Sequence, residues 1–203
     1  MMTNISVLVS GRGTNLQSII DAIESGGIAG AKITAVISDK KDAYALTRAE
    51  NHKIPGIFAD PKSFSSRQAY DDHLLSILQE NKTDLVLLAG YLRIISDSLI
   101  AAYENRMINI HPSLLPSFRG LHAQQQAVEY GVKFSGCTVH FVEPALDGGP
   151  VILQKVVPVL DGDTEETLAA RILVEENKAY PEAVKLFVEG KLKVDGRIVT
   201  ILE

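Results

Sequence analysis

Residues 84–90 read Asp-Leu-Val-Leu-Leu-Ala-Gly, apolar at five consecutive positions. A strand with one wet face alternates apolar and polar side chains, so one that does not alternate needs cover on both faces. In soluble proteins that cover comes from helices on either side of a parallel sheet. The preceding sequence supplies such helices in order. Ile5 to Ser10 is a short apolar strand that runs into Gly11-Arg-Gly-Thr-Asn15. The period then changes from two to helical, with Leu16, Ile19, Ile20 and Ile23 on one stripe that closes near Gly26-Gly27. Residues 32–38 read as a strand, 43–51 as a helix, Ile57-Phe58 as a short strand and 65–80 as a helix through Tyr70, Leu74, Leu75 and Leu78. This alternation predicts an α/β fold: a twisted, mostly parallel sheet with helices on both faces.

The second half changes character. The run Met107-Ile-Asn-Ile-His111 ends a strand, because Pro112 biases His111 away from helix and donates no hydrogen bond. A proline-rich loop follows, then a helix over 123–130 and strands over 136–142 and 151–157. Thr164 caps a long helix with Glu165 and Glu166 in its first turn. Thr167 stands where a full capping box would carry an acid. Ala169, Ile172, Leu173, Val184 and Phe187 mark the buried side of this helix, and Pro181 is expected to kink or interrupt it. Residues 191–202 read as a hairpin around Asp195-Gly196.

Composition removes several classes of function. A formal charge of −5 argues against general nucleic-acid binding, although a local cleft could still hold a phosphate. Cys137 is the only cysteine, so neither an intrachain disulfide nor a cysteine-built metal site is available, and its apolar strand suits a buried small hydrophobe. No signal-peptide pattern opens the chain, and no apolar run approaches the roughly 20 residues that span a bilayer. The expectation is a cytoplasmic protein of enzyme size without membrane contact, as a monomer or homodimer.

Two places carry chemistry. In Gly11-Arg-Gly-Thr-Asn15, between a strand and a helix, glycines permit a tight turn and free amides at a helix start can hold a phosphate. A plain strand–helix turn is the rival reading. A dinucleotide site is a third, encouraged by Asp39 at the end of the second strand. It is opposed by Leu16, which stands where the third glycine of that fingerprint would be. The second place is Asn109 with His111, which an extended strand points to one side. Open parallel sheets bind ligands beyond such strand ends. The bland alternative is a solvated strand end with an incidental histidine.

Asn109-Ile-His-Pro-Ser-Leu-Leu-Pro116, followed by Gly136-Cys-Thr-Val-His-Phe-Val-Glu-Pro-Ala-Leu-Asp-Gly-Gly-Pro150, resembles the folate-dependent formyltransferases over nearly the whole chain. The resemblance implies a Rossmann-like single domain over residues 1–203. Residues 1–100 would form a nucleotide- and phosphate-binding half and 101–203 a catalytic and folate-binding half. It implies transfer of a formyl group from 10-formyltetrahydrofolate, as cosubstrate, to an amine, with no metal. Asn109 and His111 would polarise the formyl carbonyl, His111 acting as general acid and Asp147 raising its pKa. A tetrahedral intermediate with charge on oxygen needs donors already in place, which an amide and an imidazolium supply. Gly13, Thr14 and Asn15 would cradle a substrate phosphate and Glu176 would accept from ribose hydroxyls. Arg67, Leu92, Arg93, Ile94, Ile95 and Asn109 would contact folate, with Met107 and residues 142–146 as pocket wall. His140 either lines this site or simply fills a strand position, and Leu115-Pro116 matches a peptide that is cis in the family.

Other chemistries find less support. A serine nucleophile lacks its Gly-x-Ser-x-Gly elbow, Ser113 having no further support, and no ligand-spacing motif makes a metal site of His111, His140 and Asp147. Within the family the likeness is greatest to the branch acting on phosphoribosylglycinamide, partly through Phe118-Arg-Gly-Leu-His122. The branch forming formyl-methionyl-tRNA carries an added RNA-binding domain. The branch hydrolysing formyltetrahydrofolate carries an amino-terminal regulatory domain, whereas this sequence starts at its first strand. A non-catalytic nucleotide-binding module would leave Asn109, His111 and Asp147 without a purpose. Small-molecule substrates are therefore the expected partners.

Overall fold

The unalternating run becomes β4 (Leu85–Leu88), and its surroundings explain the pattern. Leu85 and Leu87 point into one apolar cluster and Val86 and Leu88 into a second, on the opposite face of the sheet. The computed structural model describes residues 2–203. β1 (Thr3–Val9) lies beside β4 and divides in the same way, with Val7 and Val9 in the first cluster and Leu8 in the second. β2 (Ala31–Ser38) and β3 (Gly56–Phe58) extend the sheet on one side. On the other side come β5 (Met107–His111), β6 (Phe134–Phe141) and β7 (Val151–Pro158). The order is β3-β2-β1-β4-β5-β6-β7, parallel through β5 and antiparallel beyond it.

The first face is covered by α1 (Thr14–Glu24), α2 (Tyr44–Asn51), α5 (Ala123–Tyr130) and α6 (Glu165–Val188). The second is covered by α3 (Arg67–Glu80) and the short α4 (Asp97–Ala102). Chain direction in the sheet reverses between β1 and β4. From β1 the chain moves outward to β2 and β3; from β4 it moves the other way to β5. The crevice at such a switch point is where doubly wound sheets hold ligands. Here the loops after β1 and β4 meet across it, Ser10 N donating to Gly90 O at 3.1 Å and Leu92 N to Ser10 Oγ at 3.0 Å.

One local expectation is corrected and another is narrowed. Thr164 does sit in a complete capping box, since its Oγ1 accepts from Thr167 N at 3.3 Å while Thr167 Oγ1 accepts from Thr164 N at 2.9 Å. A hydroxyl does here what a glutamate does elsewhere. Pro181 does not interrupt α6, which continues to Val188. Its neighbours Ala179, Tyr180, Ala183 and Val184 are all fully buried, so packing on the sheet offsets the one hydrogen bond that proline forfeits. The chain closes with the hairpin β8 (Leu192–Asp195) and β9 (Ile198–Ile201), turning at Gly196 with φ 55°.

Candidate active site

The loop between β1 and α1 arranges its peptide groups in two sets. Gly11 O accepts from Ala45 N of α2 at 3.1 Å, and Gly13 O accepts from Gln17 N at 2.9 Å. The N–H groups of residues 12–16, by contrast, have no acceptor among the described residues. Gly13 is left-handed, φ 70°, and an added Cβ would come within 2.7 Å of Ala45 Cβ, so only glycine fits. The expected Gly13, Thr14 and Asn15 therefore lie in a row of free donors at a helix start, a shape suited to an anion. Leu16 is fully buried in the core, which closes the approach a dinucleotide would need. Glu176 of α6 reaches this loop and accepts from Asn15 Nδ2 at 3.0 Å. Burial raises the Glu176 pKa and the hydrogen bond from Asn15 partly opposes that shift. Asn15 Oδ1 is buried without a partner among the described residues.

β5 places Asn109 and His111 on one face, the same face as Met107. Antiparallel pairing sets His140 of β6 opposite Asn109. His140 Nδ1 donates to Phe141 O at 2.8 Å, since a carbonyl only accepts, and so Nε2 is left to accept from Asn109 Nδ2 at 3.3 Å. Burial lowers the His140 pKa, which keeps that ring in its accepting, neutral form. The second Asn109 N–H remains available for a ligand.

Between β6 and β7 the chain folds back over this face and delivers Asp147, whose Oδ2 is 3.5 Å from His111 Nδ1 and whose Oδ1 is 3.9 Å from His140 Nε2. The side chains of His111 and Asp147 are only 7% and 8% exposed, so little water screens the pair. Asp147 itself adopts the left-handed conformation, φ 48°. The two glycines after it serve a different need: an added Cβ would meet Ala145 Cβ at 2.7 Å from Gly148 and press onto Phe141 O from Gly149. Two groups that sequence reasoning did not assign complete the arrangement. His111 Nε2 donates to Phe118 O at 2.8 Å, and Gly120 N donates to Asp147 Oδ2 at 2.8 Å. The available signal was Phe118-Arg-Gly120, where Phe118 and Gly120 both have positive φ.

A cleft opens beside Asn109. Tyr91, Arg93, Ile94 and Ile95 wall it on one side and residues 142–147 on the other. Of the expected folate contacts, Arg93, Ile94, Ile95 and Asn109 line it, whereas Arg67 and Leu92 do not. Arg67 lies exposed at the start of α3, and Leu92 is 61% exposed. Met107 belongs to the core. Tyr91, which sequence reasoning did not select, lines the cleft and donates to Tyr70 Oη at 3.2 Å. Leu115-Pro116 is cis. Among the described residues no group of three or more His, Cys, Asp and Glu side chains is placed to hold a metal ion, and no helix is long and apolar enough to cross a membrane.

Fold and site together define a Rossmann-like α/β protein with an amide–imidazole–carboxylate group beside a row of free backbone donors. Residues 3–184 match the formyl transferase family, and the chain belongs to that family. It is 46% identical over 191 residues to the phosphoribosylglycinamide formyltransferase of Escherichia coli (strain K12), which covers 94% of this chain and 90% of that one. The glycinamide ribonucleotide transformylase 1 structure from Symbiobacterium toebii superposes with a TM-score of 0.98 at 52% identity, covering 100% of this chain and 95% of that one. A formyltetrahydrofolate deformylase from Pseudomonas syringae superposes with a TM-score of 0.92 at 27% identity over 100% of this chain and 67% of that one.

Proposed function

We propose that this enzyme transfers the formyl group of 10-formyltetrahydrofolate to the amine of phosphoribosylglycinamide, a step of de novo purine (IMP) synthesis. The products are the N-formyl ribonucleotide and tetrahydrofolate. The observation that carries this reading is the placement of Asn109 and His111 on one strand face beneath Asp147, with Asn109 and Asp147 lining the cleft. The neutral amine adds to the formyl carbon, forming a C–N bond and leaving negative charge on oxygen. Asn109 donates its free N–H to that oxygen. His111 donates the Nε2–H that otherwise rests on Phe118 O, while Asp147 holds the opposite nitrogen and balances the imidazolium charge. Collapse breaks the bond to the folate nitrogen, which takes up the proton lost by the amine through water.

The free amides at residues 13–15 hold the ribonucleotide phosphate, and Glu176 accepts from its ribose hydroxyls. Arg93, Ile94 and Ile95 form the folate wall, while Arg67 and Leu92 contact the outer part of the folate. Residues 1–100 supply the phosphate half and 101–203 the catalytic half of one domain. A single buried cysteine suits a reducing cytoplasm, and the enzyme acts on small molecules as a monomer or homodimer.

The test is a spectroscopic assay of 10-formyl folate consumption, with the ribonucleotide supplied or withheld, for wild type and His111→Ala. Consumption should require the ribonucleotide and fall about 10²- to 10⁴-fold in the variant, the range of a lost general acid. Equal consumption without the ribonucleotide would instead identify a hydrolase like the Pseudomonas syringae relative.

A further inference from the structure

We propose that Arg48 is a positioning residue for the substrate phosphate, acting through the backbone of the loop after β1; this rests on the phosphate reading above. A loop can aim successive N–H groups at an anion only if its carbonyls point the other way and find partners there. Two are met by backbone donors, Gly11 O by Ala45 N and Gly13 O by Gln17 N. The carbonyl between them, Arg12 O, has only a side chain, Arg48 Nε, at 2.8 Å. Among the described residues no other donor reaches it.

Arg48 is itself fixed on three sides. Its Nη1 donates to Gln17 Oε1 at 3.0 Å, its guanidinium lies 4.9 Å from the Tyr44 ring centroid, and its Nε holds Arg12 O. Gln17 is held in turn, its Nε2 donating to Asp21 Oδ1 at 2.8 Å and lying 3.0 Å from His52 Nε2. His52 Nδ1 is 2.8 Å from Glu24 Oε1. The guanidinium thus bridges the loop carbonyl and the first turn of α1, the two segments whose amides form the cradle. A planar fork with two separated donors performs this bridging; an ammonium at the same place has the charge but not the geometry.

The experiment measures KM for phosphoribosylglycinamide, KM for its 5′-dephosphorylated nucleoside, KM for the formyl folate and kcat, in wild type, Arg48→Gln, Arg48→Lys and Gln17→Met. Both Arg48 variants should raise KM for the ribonucleotide about 10- to 100-fold, the range for a lost hydrogen bond from a charged group. The dephosphorylated substrate, the folate KM and kcat should change less than about twofold. Gln17→Met, which loosens the guanidinium without touching Arg12 O, should move the same constant by a smaller factor and covers the case that Arg48→Gln does not fold. Full recovery in Arg48→Lys would overturn the proposal in favour of simple charge attraction. An equal rise for both substrates, or no rise, would overturn it outright. Wild type binding the two substrates equally well would instead refute the phosphate reading, a separate result.

Discussion

Glu176 lies where a carboxylate is poorly solvated, behind the loop after β1, with Asn15 Nδ2 as its one hydrogen-bond donor among the described residues. Burial holds its pKa above the ordinary 4.5. A pKa raised by folding contributes stability below the unfolded value, and this is lost as pH rises through the folded value. Above the unfolded value the folded protein therefore carries a cost from burying this carboxyl group. Glu176→Gln removes that cost and offers a second N–H to Asn15 Oδ1, the buried atom now without a partner. The variant should melt higher than wild type at pH 8, with the gap closing toward pH 4. Its KM for the ribonucleotide should rise about 10- to 100-fold with the loss of a charged acceptor for the ribose. Thermal melts at the two pH values, set beside steady-state kinetics, test both halves, and a gap independent of pH would disprove the electrostatic cause. At this scale the sequence was legible where a residue's partners are near in the chain. Asn109 and His111, two apart on a strand, could be placed on one face from spacing alone. The bond from Asn109 to His140 could not, because it depends on which strand pairs with β5 and in what register.

At the scale of elements, the joining of α6 to the sheet depends on few polar contacts. Tyr180 is fully buried on α6, and its hydroxyl lies 2.9 Å from both Leu88 O of β4 and Ile108 O of β5. The same helix carries Glu176 one turn away, so Tyr180 fixes the distance from that carboxyl group to the sheet. Tyr180→Phe keeps the ring but strands buried carbonyls, and should lower unfolding free energy by about 1–3 kcal/mol. Urea denaturation would measure this, and an unchanged midpoint would mean that the ring alone anchors the helix. Long elements such as α1, α3 and α6 were readable because apolar stripes repeat over several turns. α4 was not: six residues give too short a run for a period to emerge. Pro181 does not interrupt α6 for the opposite reason, since local backbone preference yields when the surrounding helix is buried along one side. The hairpin was legible from Asp195-Gly196, but not its reach. Arg197 at its turn donates to Gly148 O at 2.7 Å, tying the turn that carries Asp147 to a segment beyond the family match.

For the whole molecule the question is whether the two halves part. The loop proposed to hold the phosphate belongs to one proposed half and the strand of Asn109 and His111 to the other, but β4 pairs with β5 across the boundary and the sheet is continuous. The first-face core mixes Leu16, Ile19 and Ile20 with Ala179, Ala183 and Val184. Neither half could bury those surfaces alone, so both should open in one cooperative step. Amide exchange should then report the same opening free energy for the slowest amides of β1 and of β6, equal to the value from urea. A ribonucleotide held between the loop after β1 and Glu176 of α6 bridges the halves. At about 100 times its Kd it should add about 2.7 kcal/mol to protection in both strands alike. Protection gained in β1 and not in β6 would show that the halves open separately, and that the site is assembled when substrate binds rather than built in advance.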